Sequence, residues 1–113
     1  VGSVIFKIIS DELNMLSKSK ADRKLLIINT DLMEKSFIDY YDQDIFNEIV
    51  NQPKNIQKLL VQKYPLNKLN GIEIQILYKP IDKMDSKRFE IVSDFYKLFL
   101  ESYGAHVSIG SNL

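Results

Sequence analysis

The sequence predicts an α/β domain: a three-stranded, mainly parallel sheet flanked by helices. Three observations carry that reading. Leu25-Leu26-Ile27-Ile28 is an aliphatic run without polar alternation, the pattern of a strand buried on both faces. Strand-length apolar runs alternate with segments of helical periodicity, the order that gives crossover connections and a parallel sheet. The aliphatic run ends in Asn29-Thr30-Asp31, at the carboxyl end of a strand, where open α/β sheets hold their ligands.

Each element follows in order. Val4, Ile5, Ile8, Ile9, Leu13 and Leu16 recur at helical spacing, which predicts an amphipathic helix over 4–18 with Ser3 as its N-cap. A strand over 4–9 is the alternative for the start of this segment. Residues 24–29 form the first strand, and residues 30–42 a long polar-aromatic loop. Ile45, Phe46, Ile49 and Val50 mark a short helix over 42–50. Pro53 suits a first-turn position and opens a helix carrying Ile56, Leu59, Leu60 and Tyr64, stopped by Pro65.

Asn70-Gly71 is a turn signal ahead of a second strand, Ile72 to Tyr78, which Pro80 ends. Asp85 or Ser86 caps a strong helix whose apolar face runs from Phe89 to Tyr103. Gly104 falls where a helix ends in a left-handed residue. Residues 105–109 make a third strand and 110–113 a tail. No repeat or internal boundary interrupts the chain, so residues 1–113 read as one domain.

Composition narrows the function classes. Hydrophobic residues make up 45% of the chain, enough for one core. Lys+Arg and Asp+Glu number 15 each, and this zero net charge argues against a nucleic-acid surface. With no cysteine there is no disulfide, thiol nucleophile or thiolate metal site. No apolar run reaches the roughly 20 residues of a membrane helix, and no signal peptide is visible. The chain starts at Val1, and Val1-Gly2-Ser3 reads as a processing or cloning remnant. An apolar strand that comes first in its sheet suits a central position, since an exposed edge of this kind invites aggregation. The expectation is therefore a missing neighbour: an upstream portion of the domain, a second copy paired along the first strand, or the first helix covering the edge.

The chain resembles the carboxyl-terminal half of a von Willebrand factor A-like domain. The matching pieces are a helix, then Arg23-Lys24-Leu25-Leu26-Ile27-Ile28-Asn29-Thr30-Asp31-Leu32-Met33-Glu34, a loop with helices, and Leu69-Asn70-Gly71-Ile72-Glu73-Ile74-Gln75-Ile76-Leu77-Tyr78. A helix with Phe95-Tyr96 and then Gly104-Ala105-His106-Val107-Ser108-Ile109 complete it. Bacterial members of the family share this pattern. The resemblance implies a doubly wound, Rossmann-like sheet and a non-enzymatic protein-interaction module. It also implies a divalent-cation site, typically for magnesium, to which Asp31 and its neighbour Thr30 contribute. The family's Asp-x-Ser-x-Ser motif is absent: Asp11 precedes Glu-Leu-Asn-Met and Asp85 precedes Ser-Lys-Arg-Phe. This chain alone is therefore expected to bind magnesium weakly or not at all, the other ligands lying in the missing half or a partner.

Each candidate residue has a plainer reading beside the functional one. A carboxylate at Asp31 suits a hard cation, or caps the following turn. Thr30 positions a water, or bonds backbone. Phe37, Tyr40 and Tyr41 are candidate anchors for a protein partner. The surrounding Asp39, Asp42, Asp44 and Glu48 suit the first turns of a helix. Asp31 with Lys79-Pro80 invites comparison with phosphoacceptor receiver domains, a phosphoryl- or nucleotide-handling alternative weakened by the lack of a strand between them. A structural self-assembly domain is the third reading. His106 stands alone and supports no triad.

Overall fold

The three aliphatic segments are the strands of one sheet, and their spacing by helical segments sets its direction. The computed structural model describes residues 2–110; Val1 and the end of the expected tail, residues 111–113, lie outside the described residues. Chain order is α1 (Phe6–Lys18), β1 (Lys24–Asn29), α2 (Gln43–Asn51), α3 (Pro53–Lys63), β2 (Ile72–Leu77), α4 (Lys83–Ser102) and β3 (His106–Gly110). The strands lie in the order β1-β2-β3, both pairings parallel. The fold is thus the α/β class that the sequence predicts, with four helices against a three-stranded parallel sheet.

Register decides which side of the sheet is core. Lys24 pairs with Ile72, Leu26 with Ile74 and Ile28 with Ile76, while Ile74 pairs with Val107. These residues share one face, and Ile28, Ile72, Ile74, Ile76 and Val107 are buried there. Each such side chain contributes about 1.5–3 kcal/mol by leaving water. The opposite face carries Leu25, Ile27, Asn29, Glu73, Gln75, Leu77, His106 and Ser108, none of them buried. The helices therefore form one layer on one face. This corrects two expectations. Helices do not cover both faces, and Leu25–Ile28 is not doubly buried: Leu25 is 38% and Ile27 54% exposed.

Aromatic rings join the helical layer. Phe6 of α1 stacks on Phe99 of α4 at 5.5 Å between centroids and on Tyr96 at 6.4 Å. Phe95 meets Tyr96 edge-on at 5.1 Å. α1 is not capped by Ser3. Ile5 occupies the N-cap position without a side-chain cap, and Ser3 pairs instead with Lys35, exchanging two backbone hydrogen bonds of 2.9 Å. Gly2 passes so close to this loop that a Cβ there would lie 2.6 Å from the Lys35 carbonyl oxygen. Gly2 and Ser3 are thus packed against the loop. α4 also starts earlier than expected, because Asp82 rather than Asp85 or Ser86 accepts from the Asp85 N–H at 2.8 Å. Gly104 has φ +104°, the left-handed helix ending that the sequence predicts.

The loop of residues 30–42 is a wall of the core. Leu32, Met33, Ile38 and Tyr40 are all buried. Tyr40 is 0% exposed, and its hydroxyl lies 2.7 Å from that of Tyr96, also buried. Each hydroxyl is the other's partner, so removing one strands a buried polar group. Tyr40→Phe or Tyr96→Phe alone is expected to cost about 1–3 kcal/mol, whereas the double replacement comes close to neutral. Urea denaturation of the three variants checks this cycle.

Candidate functional site

Backbone geometry at the sheet edges gives the first asymmetry. In a parallel ladder, successive residues direct their N–H and C=O to alternate sides. The Tyr78 N–H donates to the Gly110 carbonyl at 3.3 Å, so Gly110, Ser108 and His106 face β2, and Val107 faces outward. The outward Val107 carbonyl accepts from Lys97 Nζ at 2.9 Å. A lysine thus occupies one outward carbonyl of that edge. The same alternation turns the N–H and C=O groups of Leu25, Ile27 and Asn29 outward from β1, where no strand pairs with them among the described residues. The outer side of β1 has neither proline nor bulge, and α1 beside it is its partial cover.

A groove of about 300 Å³ runs between α1 and this open edge. Val4, Ile5, Ile8 and Ile9 form one wall, Leu26, Ile27 and Ile28 the other, with Glu12 its only charged lining residue. α1 has two apolar stripes. Phe6, Ile9 and Leu13 enter the core, while Ile8 and Met15 remain 58% and 69% exposed, and Val4 just ahead of the helix is also exposed. The first stripe is explained by the core; the second has no counterpart among the described residues.

Asn29 and Thr30 line the far end of the groove, and Asp31 follows. The Thr30 hydroxyl accepts from the Leu32 N–H at 3.2 Å, and Asp31 Oδ1 accepts from the Met33 N–H at 3.0 Å. These bonds hold a tight turn in which Leu32 has φ +64°, a left-handed conformation for a branched residue held by its full burial. Both side chains thus serve the turn. No three His, Cys, Asp or Glu side chains converge as a metal site among the described residues.

The turn aims the next residue, Glu34, back into the protein. This carboxylate, 1% exposed, accepts from the Phe6 N–H at 2.8 Å, the Ile5 N–H at 3.0 Å and the Ser36 hydroxyl at 2.7 Å. It satisfies donors at the start of α1 and sits at the positive end of that helix dipole. The sequence offered no signal for it, because the cap comes from 28 residues away rather than from the local chain.

At the carboxyl end of β2, the Tyr78 hydroxyl donates to Asp85 Oδ2 at 2.6 Å, and the Ile81 N–H donates to the same oxygen at 3.0 Å. The bond holds the Asp85 carboxyl below its ordinary range and pushes Tyr78 up to about 12. Arg88 stands over the Tyr41 ring at 5.6 Å, and its Nε is buried with no hydrogen-bond partner among the described residues. Lys79 is exposed at the end of β2.

Of the three candidate anchors, Phe37 and Tyr41 are on the surface. Phe37 is 44% exposed, edge-on to Tyr64 with Lys63 above it; Tyr41 is 51% exposed. Tyr40 is core, a correction whose cause is its bond to Tyr96. No protein-family model, curated protein or solved structure matches the chain.

Two outcomes follow from this geometry. Asp85 is depressed when folded, so its contribution is present above the ordinary carboxylate range of about 4 and is lost as pH falls through the lower folded value. Tyr78 is raised, so its contribution is complete below about 10 and is lost as pH rises toward 12. Tyr78→Phe is expected to flatten both limbs of a stability-versus-pH curve measured by denaturant midpoint. Magnesium at millimolar concentration is expected to leave the melting temperature of this chain unchanged, as scanning calorimetry would show, because Thr30 and Asp31 are already engaged.

Proposed function

We propose that this chain is a non-enzymatic protein-interaction module whose docking surface is the outer edge of β1 with the exposed flank of α1. The observation that carries the reading is the contrast between the edges. Lys97 occupies an outward carbonyl of β3, whereas β1 presents aliphatic side chains and outward backbone groups beside an apolar groove. Edge strands are normally guarded; one whose outward backbone groups face an apolar groove under a helix is a place where another backbone can add itself. The resemblance to von Willebrand A-like domains agrees with an adhesive role and gives β1 an interior position once a neighbour is docked. The divalent-cation part of that resemblance is not carried forward, since the Thr30 hydroxyl and Asp31 Oδ1 hold the turn and no third ligand converges on them among the described residues.

A library of displayed 12-residue random peptides, selected on the immobilised chain, tests the proposal. Selected peptides, resynthesised, are expected to bind about tenfold or more weakly to Ile27→Lys, which places a charge on the edge, and to bind Ser108→Lys on β3 unchanged. Ile27 is more than half exposed, so the substitution leaves the core intact. Selected peptides that bind both variants like the original chain would overturn the reading.

A further inference from the structure

The lane beside β1 has a roof on one side only, and that limits what fits it. α1 runs over the outer edge, with Ile8 and Ile9 above and Leu26, Ile27 and Ile28 alongside. A ligand that satisfies the outward N–H and C=O groups of Leu25, Ile27 and Asn29 must itself be extended, because only a strand repeats its donors and acceptors at that spacing. Its side chains then alternate between two sides. One set lies under α1 against Val4 and Ile8; the other lies on the open face beside Leu25 and Ile27. Both sets meet aliphatic neighbours. The lining holds one charge, the exposed carboxylate of Glu12, with no cation among the other lining residues. A long basic side chain on the docked strand reaches it while keeping its stem against the aliphatic wall.

A second copy of this chain fits less well. A two-fold axis that pairs β1 with its mate keeps both helical layers on the same side of the joined sheet. It brings the mate's α1 over the lane that α1 already roofs. Helices pack about 8–10 Å apart, and strands about 4.8 Å apart. Two roofs do not fit over one lane.

We infer that the occupant is a single extended segment of a partner protein, aliphatic toward both of its faces, with one lysine or arginine set opposite Glu12. This rests on the β1 edge being the docking surface, and the test separates the two statements. The probe is a synthetic peptide of valine and isoleucine with one central lysine and serines at its ends, added to the full chain. Amide exchange followed by NMR reports the edge directly. Leu26 and Ile28 are already bonded to β2, whereas Leu25, Ile27 and Asn29 are not bonded on their outer side.

The expected result is exchange slowed roughly tenfold or more at Leu25, Ile27 and Asn29, in a complex of one chain and one peptide by sedimentation. Glu12→Lys weakens binding about three- to fivefold, and a peptide with glutamate in place of its lysine recovers it on that variant. Ile8→Glu, on the exposed flank of α1 and away from the core, also weakens binding. Protection at the three amides that grows with protein concentration and needs no peptide would make a second copy the occupant, overturning this inference while leaving the docking surface standing. Protection by library-selected peptides but none by the aliphatic probe would overturn the stated chemistry. A Glu12→Lys loss that the charge-swapped peptide does not recover would overturn the pairing with Glu12. No protection at β1 by any ligand would remove the docking surface itself.

Discussion

The direction in which the strands are added constrains everything else in this molecule. β1, β2 and β3 lie in the sheet in the order in which they occur in the chain, all parallel. Crossovers between parallel strands are right-handed, so two crossovers that step the same way place their helices on the same side. All core-facing residues of β2 then point to that side, and Ile72, Ile74 and Ile76 are buried against it. The core is one-sided as a consequence. Phe6, Phe95, Tyr96 and Phe99 supply the bulk that a second helical layer would otherwise share. On β2 and β3 the other face carries Glu73, Gln75, His106 and Ser108, with Leu77 as its apolar exception. β1 departs from that pattern, and its departure is where the functional argument begins.

A single connection builds both the core and the groove. Residues 30–42 leave β1, turn at Leu32, and return through Glu34 to the first N–H groups of α1. A carboxylate there satisfies donors that would otherwise be stranded in a dry environment and meets the positive end of the helix dipole. The same bond fixes where α1 starts and so how it overhangs β1. Tyr40, a few residues on, reaches α4 through Tyr96. The loop is a strut between the first helix and the longest one.

Sequence periodicity located all seven elements, because strand and helix segments differ in length and repeat. β1 matched its expected limits, and α1, α3 and β3 differed from theirs by one or two residues at an end. Burial was less legible. An uninterrupted aliphatic strand reads as enclosed on both faces, yet the sequence of one strand does not state how many neighbours it has; Leu25 and Ile27 show the difference. Local caps were read only approximately: Asp42, read as the first residue of its helix, caps α2 through the Asp44 and Ile45 N–H groups, and α4 is capped by Asp82, three residues before Asp85. Caps that come from far along the chain were not legible at all, which is why Ser3 looked like the cap and Glu34 is. Tyr40 and Tyr41 are adjacent and chemically identical, and only tertiary placement separates the buried hydroxyl from the exposed ring.

The lysine at β3 bears on how the sheet can be extended. A sheet with two open margins is a template that can be copied without end, the geometry of a fibril. Here Lys97 occupies a carbonyl on one margin and interrupts the outward ladder there, while no side chain bonds the outward groups of β1 among the described residues. An amine on the far side of the sheet thus sets the two margins of this domain apart.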